Sequence, residues 1–259
     1  MHIDSLHWVL VILASVVAGA MNAVAGGGTL LAFPTLLFVG VPSIPANATT
    51  SLGLWPSSVA SGWLYRKDID VPGQALALLS MVSVAGGFLG AWLLLHTPQR
   101  IFDLLVPVLL LFAAAIFTAS ERIRLLAGRL SIPGGRLLAL AVAGQFAIGI
   151  YGGYFGAAMG VLMLALFSLT LASTIHSMNG VRSICGMAIN GMAVVVFIAG
   201  HRIDWRIAAV MALASVGGAS AGTVYMRRLD PAPARRVVLA LAWGMTLAFV
   251  ARVAAGHLR

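Results

Sequence analysis

From residue 5 to residue 65 the chain carries no aspartate, glutamate, lysine or arginine, and the same holds from 137 to 181. Each run is long enough for two or more membrane-spanning helices, which need about 20 predominantly apolar residues apiece. A domain that folds in water cannot leave so much chain without charge, because its outer face must be wetted along every element. Composition agrees: 61% of the 259 residues are hydrophobic and only 9% charged, with a mean hydropathy of +1.01. The expected fold is all-α, a polytopic transmembrane bundle of eight to ten hydrophobic segments in a multi-pass membrane protein.

The net charge is +9, and 15 of the 16 basic residues are arginine. They punctuate hydrophobic runs instead of gathering on one polar face, so they read as topology signals and contacts to lipid headgroups, not as a nucleic-acid surface. The single cysteine, Cys185, excludes an internal disulfide and any cysteine-rich zinc site, and no cofactor or metal is expected. The Ala-rich N-terminal stretch over 17–25 lacks a basic leader and continues into more apolar chain, which predicts a first helix and not a signal peptide.

Charge and turn residues divide the chain into five hydrophobic stretches per half. They lie at roughly 8–25, 29–41, 46–65, 72–95 and 101–119, then 137–154, 157–173, 177–200, 205–226 and 235–254. The halves match in detail. Gly28, Asn47 and Ser51 recur 132 residues later as Gly160, Asn179 and Ser183, and Gly86-x-x-x-Gly90 recurs as Gly218-x-x-x-Gly222 at the same offset. Ile69-Asp70 recurs as Ile203-Asp204, and Pro98 as Pro231. The expected organisation is a first transmembrane repeat over 1–120, a basic cytoplasmic connector over 121–136 and a second repeat over 137–259. The second stretch of the first half, 29–41, would make about 20 Å of helix, short of a hydrocarbon core of about 30 Å, so it reads as broken or re-entrant. Ten crossings with the N-terminus outside place the arginines at 66, 122–136 and 227–236 on the cytoplasmic side, which favours five-plus-five inverted repeats.

Three polar features lie within the apolar runs, each open to two readings. Asn22-Ala-Val-Ala-Gly26-Gly27-Gly28-Thr29 breaks a helix and frees backbone groups, either to form a transport site or to let helices pack closely. The second half has Gly149, Gly152, Gly153, Gly156 and Gly160 in the matching region. Asn179, Arg182, Ser183, Gly186 and Asn190 share one helical face, as do Asn47, Thr50, Ser51, Leu54 and Ser58; the two stripes either line a solute path or hold the bundle together. Arg182 is the only charged residue well inside an expected span. It either snorkels to the headgroups or offers a fixed positive charge, with Asn179 and Ser183 beside it, to an oxyanion such as sulfonate, sulfite or carboxylate. The expected solute-binding residues are thus Asn22, Gly26, Gly27, Gly28, Asn47, Thr50, Ser51, Asn179, Arg182 and Ser183.

All seven acidic residues fall in expected loops or helix ends, so none is placed to carry a coupling proton or sodium ion through the membrane in the usual way. His176, at a helix start, reads as interfacial. The two Gly-x-x-x-Gly motifs read as helix packing, and Trp8, Trp63, Trp92 and Trp205 as interfacial anchors. No nucleophile elbow, zinc-protease motif or intramembrane aspartate pair is present, so no enzyme is expected.

The motif beginning Asn22-Ala-Val-Ala-Gly-Gly-Gly-Thr-Leu, with Pro34-x-Leu36-Leu37 and Pro45-Ala-Asn-Ala-Thr-Thr-Ser-Leu52 after it, resembles the first half of the TauE/SafE family of sulfite exporters. Arg66-Lys-Asp-Ile-Asp70, Gly86-Gly-x-x-Gly90-Ala, and in the second half Gly200-x-x-Ile203-Asp204-Trp205 and Gly217–Gly222 extend the likeness over roughly 8–254. The resemblance implies an inner-membrane permease for sulfite, an organosulfonate such as sulfoacetate, or a related small anion. The expected partners are that anion and membrane lipid, with a homodimer as a candidate assembly. The rival readings are a membrane-embedded accessory protein and a passive anion channel.

Overall fold

The computed structural model describes residues 4–24, 27–127, 134–171 and 173–226, together with 239, 240, 243, 244 and 247. Among the described residues there are nine α-helices and no strand. They are α1 (Ser5–Val24), α2 (Thr29–Phe38), α3 (Ser43–Tyr65), α4 (Gly73–His96), α5 (Gln99–Ala127), α6 (Gly134–Tyr154), α7 (Met159–Thr170), α8 (Ile175–Ala199) and α9 (Trp205–Met226), with one 3-10 turn at Arg66–Asp68. Five of these, α1, α4, α5, α6 and α8, are long and apolar enough to cross a membrane. The chain is a polytopic transmembrane helix bundle.

The elements follow the expected stretches with one adjustment. α5 continues to Ala127 and α6 starts at Gly134, so the basic segment over 121–136 is helical at both ends, and 128–133 lie outside the described residues. Most of the final expected stretch, 235–254, also lies outside them. Of its described members, Leu239 and Trp243 pack on the core, and the Trp243 indole donates to Thr118 Oγ1 at 2.9 Å.

α2 and α7, of 10 and 12 residues, are about 15 and 18 Å long, so neither spans a core of about 30 Å. Local chemistry sets these lengths. α2 starts behind the glycine run and ends at Gly40, whose φ of 92° only glycine adopts freely. Between α6 and α7, Gly156 and Ala158 both take left-handed backbone, with φ of 76° and 59°, and that reversal separates the two helices.

Lipid explains the outer surface. Leu213 is 80% exposed, Leu104 71% and Leu6 69%, on α9, α5 and α1. In water such faces would be a liability; against acyl chains they are the normal lining of a membrane bundle. Trp63 and Trp205 are exposed at helix ends, and the Arg66 guanidinium lies 3.7 Å above the Trp63 ring, an anchor suited to the headgroup layer.

Glycine brings the interior helices together. On the α1–α9 seam a Cβ on Gly218 would stand 1.9 Å from Val16 O, and one on Gly19 2.0 Å from Ser215 O. On the α4–α6 seam a Cβ on Gly90 would stand 2.0 Å from Ile150 O, and one on Gly153 2.2 Å from Gly87 O. Both Gly-x-x-x-Gly motifs therefore serve backbone contact, as expected. Neighbours also fix direction: Gly86 meets Phe146 and Gly149 while Gly90 meets Ile150 and Tyr154, so α4 and α6 run parallel. On α3 and α8, Trp55 meets Met187 and Gly191, Gly62 meets Ser183, and Tyr65 meets Gly180, so these two run antiparallel.

Loop ends are tied across the bundle. The Asp70 amide donates to Ser177 Oγ and the Asp204 amide to Thr49 Oγ1, each at 3.0 Å. The Asp70 carboxylate also accepts a short hydrogen bond from Ser173. The hydroxyls of Ser173 and then Ser177 hold this carboxyl below its ordinary value. A carboxyl with a depressed folded pKa stabilises the fold above its unfolded pKa, and that contribution fades as pH falls through the folded value. Asp70→Asn should therefore lower the melting temperature at pH 7, and the gap to wild type should begin to narrow below about pH 4, as pH passes the unfolded value on its way to the lower folded one. Thermal unfolding of both proteins across that range checks this; a gap as wide at pH 3 as at pH 7 would contradict it.

Candidate functional site

A cavity of about 40 Å³ lies where α1, α2, α3, α7 and α8 meet. A single water needs roughly 10–15 Å³, so the space holds a few waters or one compact polyatomic ion. Its wall is Asn22 from α1, Thr29 from α2, Ser51, Leu54, Ser58 and Ser61 from α3, Gly156, Met159, Gly160 and Met163 from the break and α7, and Arg182, Ser183, Gly186 and Asn190 from α8. Among the described residues no carboxylate contributes to this wall, and its one charge is the Arg182 guanidinium.

Arg182 lies seven residues into α8, about 10 Å along it, and is 4% exposed. It does not snorkel. Its Nη2 donates to the carbonyls of Asn22 (3.3 Å) and Ala23 (3.4 Å) at the end of α1, and its buried Nε has no hydrogen-bond partner among the described residues. The partners it has are neutral carbonyls at the negative pole of a helix, which stabilise a cation without cancelling its charge. Holding an arginine mid-helix in a membrane costs about 2.5–3.5 kcal/mol on insertion scales, and two long neutral contacts offset only part of that.

Asn22 pins the break. Its Oδ1 accepts from the Gly28 amide at 3.0 Å, its Nδ2 reaches Ser57 Oγ at 3.3 Å, and its carbonyl faces Arg182. The N-termini of both short helices open on the cavity, α2 through Thr29 and α7 through Met159 and Gly160. The first-turn amides of Leu30, Leu31, Met159 and Val161 are held by the carbonyls of Gly27, Gly28, Gly156 and Ala158, so what each end adds to the field of the guanidinium is the positive pole of its helix. The hydroxyls of Ser51 and Ser183 donate to the carbonyls of Asn47 and Asn179 one turn earlier, at 2.9 and 2.8 Å, and Ser61 does the same to Ser57 at 2.8 Å. All three side chains line the cavity, and a stronger acceptor there would compete with those carbonyls for the protons. Beyond the cavity Phe33 and Phe155 stack edge to face at 5.3 Å, and Phe102 packs on Phe155 at 6.5 Å, an apolar layer of fully buried rings.

Of the residues expected to bind solute, Asn22, Ser51, Arg182 and Ser183 line the cavity. Five others do not. Asn47 donates to Tyr154 O and Asn179 to Ile175 O, while Thr50 is buried off the wall. A Cβ on Gly27 would meet the Phe117 ring at 2.7 Å and one on Gly28 would meet Ala18 O at 2.3 Å, so these two glycines permit close packing at the break. Gly26 lies outside the described residues. Sequence reasoning missed Thr29, Ser61, Met159 and Met163. Ser61 was within reach, since it extends the spacing of Ser51, Leu54 and Ser58 by one more step.

The family model described as sulfite exporter TauE/SafE matches residues 11–249. A probable membrane transporter protein of Haemophilus influenzae is 25% identical over 236 residues, covering 90% of this chain and 91% of that one. Probable membrane transporter protein ORF9 of a Sinorhizobium species is 27% identical over 220 residues, 82% of this chain and 80% of its own. Probable membrane transporter protein YfcA of Escherichia coli K12 is 25% identical over 218 residues, 81% and 77% respectively. No solved structure matches the chain. A bundle of membrane-crossing helices with a polar cavity at its centre, matched over nearly its whole length, belongs to the sulfite exporter TauE/SafE family and is a membrane transporter.

Proposed function

We propose that the chain exports a small oxyanion across the cell inner membrane by alternating access between two repeats, sulfite or an organosulfonate being the solute. The observation that carries this reading is Arg182, buried in the cavity wall with, among the described residues, its Nε unpartnered and no carboxylate opposite. Guanidinium donors suit oxyanions, and two helix N-termini reinforce them. A cavity of about 40 Å³ suits a compact anion such as sulfite. An inside-negative potential drives each negative charge outward by about 2.3 kcal/mol per 100 mV, so export needs no intramembrane carboxylate.

Contacts between matching positions support the two repeats. The Trp55 indole donates to the carbonyl of Met187, the residue 132 positions on, at 3.1 Å, as partners astride an approximate two-fold axis do. α1 pairs with α9 as α6 pairs with α4, and the short α2 and α7 occupy matching places in the order. Because the matching helices α3 and α8 run antiparallel, the repeats over 1–120 and 137–259 are inverted, with the connector over 121–136 cytoplasmic. In that arrangement Arg66, Lys67, Arg122 and Arg136 share one end of the bundle and Arg100, Arg202 and Arg206 the other, so the first end faces the cytoplasm.

Purified protein in liposomes tests the proposal. Saturable efflux of sulfite, competed by other small oxyanions, is expected. Current that grows without saturation would replace the carrier by a channel, and absence of flux for sulfite, sulfonates and carboxylates alike would sink the proposal.

A further inference from the structure

The cavity wall is stiff on one side and yielding on the other. From the first half it is closed by Leu54, a buried, branched side chain on α3. The break nearby is equally firm, since a Cβ on Gly27 would stand 2.7 Å from the Phe117 ring. At the offset of 132 the residues that match Leu54 and Gly27 are Gly186 and Met159. Bulk and gap thus change places in the second half, and the bulk there is an unbranched thioether with three rotatable bonds.

Two glycines trace the course of Met159. A Cβ on Gly152 would stand 2.7 Å from its Sδ, and one on Gly186 would stand 3.8 Å from its Cε. The side chain therefore runs from α7 between α6 and α8, with its sulfur beside Gly152 and its methyl toward Gly186. Met159 and Gly186 both line the cavity, and Gly152 does not. Outside its own helix, that methyl is the only described atom within 4 Å of a Cβ on Gly186, so it bounds the cavity there. Met163, the other methionine of the wall, is fully buried, whereas Met159 keeps some exposed surface. Met159 is the part of the wall with room to move.

We propose that Met159 sets the size of anion the site accepts. With its methyl toward Gly186, the space of about 40 Å³ takes a compact oxyanion head, and an alkyl tail enters only where the thioether swings aside. The inference rests on the proposed anion site and chooses within it: a bare oxyanion or one-carbon sulfonate is preferred to a longer-chain sulfonate. What lies behind the methionine fits this role. Ile189, whose Cγ2 would stand 2.9 Å from a Cβ on Gly152, and Met163 belong to the same buried apolar cluster as Met159. Space opened by removing Met159 is therefore apolar, suited to a hydrocarbon tail and not to a second charge. One methylene in an apolar pocket is worth roughly 10- to 200-fold in discrimination, enough for a single side chain to set such a limit.

The test is calorimetric titration of sulfite, methanesulfonate and propanesulfonate into purified wild type, Met159→Ala and Gly186→Ala. The two sulfonates carry the same single charge, so the ratio of their affinities reports size alone. Wild type should favour methanesulfonate over propanesulfonate by about tenfold or more, and Met159→Ala should reduce that ratio by about tenfold or more. Gly186→Ala, whose Cβ meets the Met159 methyl at an ordinary contact distance of 3.8 Å, should raise it. Equal wild-type affinity for the two sulfonates, or the same ratio in wild type and Met159→Ala, overturns the inference, while sulfite binding in the same titrations leaves the anion site standing. Wild type that binds none of the three removes the anion site, and this inference with it. If Met159→Ala does not fold, Gly186→Ala decides: a raised ratio upholds the role of Met159, and an unchanged one overturns it.

Discussion

Arg182→Gln should fold and insert normally, yet lose oxyanion flux in proteoliposomes by on the order of 100-fold, the equivalent of about 3 kcal/mol for one buried charge-assisted contact. Folding should survive because the glutamine amide can still donate to a carbonyl at the end of α1, where Arg182 now contacts Asn22 and Ala23. What disappears is the single charge that the described residues place on the cavity wall. Arg182→Lys should fall between the two, since an ammonium keeps the charge but not the planar set of donors. Flux at the wild-type rate in Arg182→Gln would show that the guanidinium serves only to cap α1.

The second large effect is on stability, and it sets neighbouring glycines against each other. Gly218→Ala should destabilise the bundle by about 2 kcal/mol or more, because the new Cβ would lie 1.9 Å from Val16 O and the backbones of α1 and α9 must part. Gly217→Ala, one residue earlier on the outer face, has nothing among the described residues within 4 Å of its Cβ and should be neutral or slightly stabilising. Gly90→Ala should behave like Gly218→Ala, with 2.0 Å to Ile150 O on the matching seam. Thermal denaturation in one detergent compares all three with wild type. Equal melting temperatures for the variants at 217 and 218 would refute the close seam.

The sequence made some of this legible because the underlying physics is local. A run without charge has few fates other than the membrane, and glycines four residues apart announce close backbones whatever their partner is. The short α2 follows from the glycines that bracket it, whereas the break before α7 also needs a left-handed Ala158 that no pattern marks. Placement around the cavity was less legible. Asn47 and Ser51 are one turn apart on the same face, but a rotation of about 40° between them turns Ser51 to the cavity and Asn47 to Tyr154. The same split divides Asn179 from Ser183. The inward course of Arg182 depends on carbonyls 160 and 159 residues away in sequence, which no local pattern encodes. Met159 and Met163 carry no polar signal; only the packing of α7 across from α3 and α8 brings them to the wall.

Equilibrium binding probes the heart of the account more directly than flux, since it needs no assumption about direction or driving force. Titrating sulfite into purified protein by calorimetry should give saturable binding at one site per chain in wild type and none measurable in Arg182→Gln. Indistinguishable sulfite binding by the two proteins would mean that the solute goes elsewhere, and that the charged cavity between α1, α3, α7 and α8 is only part of the scaffold.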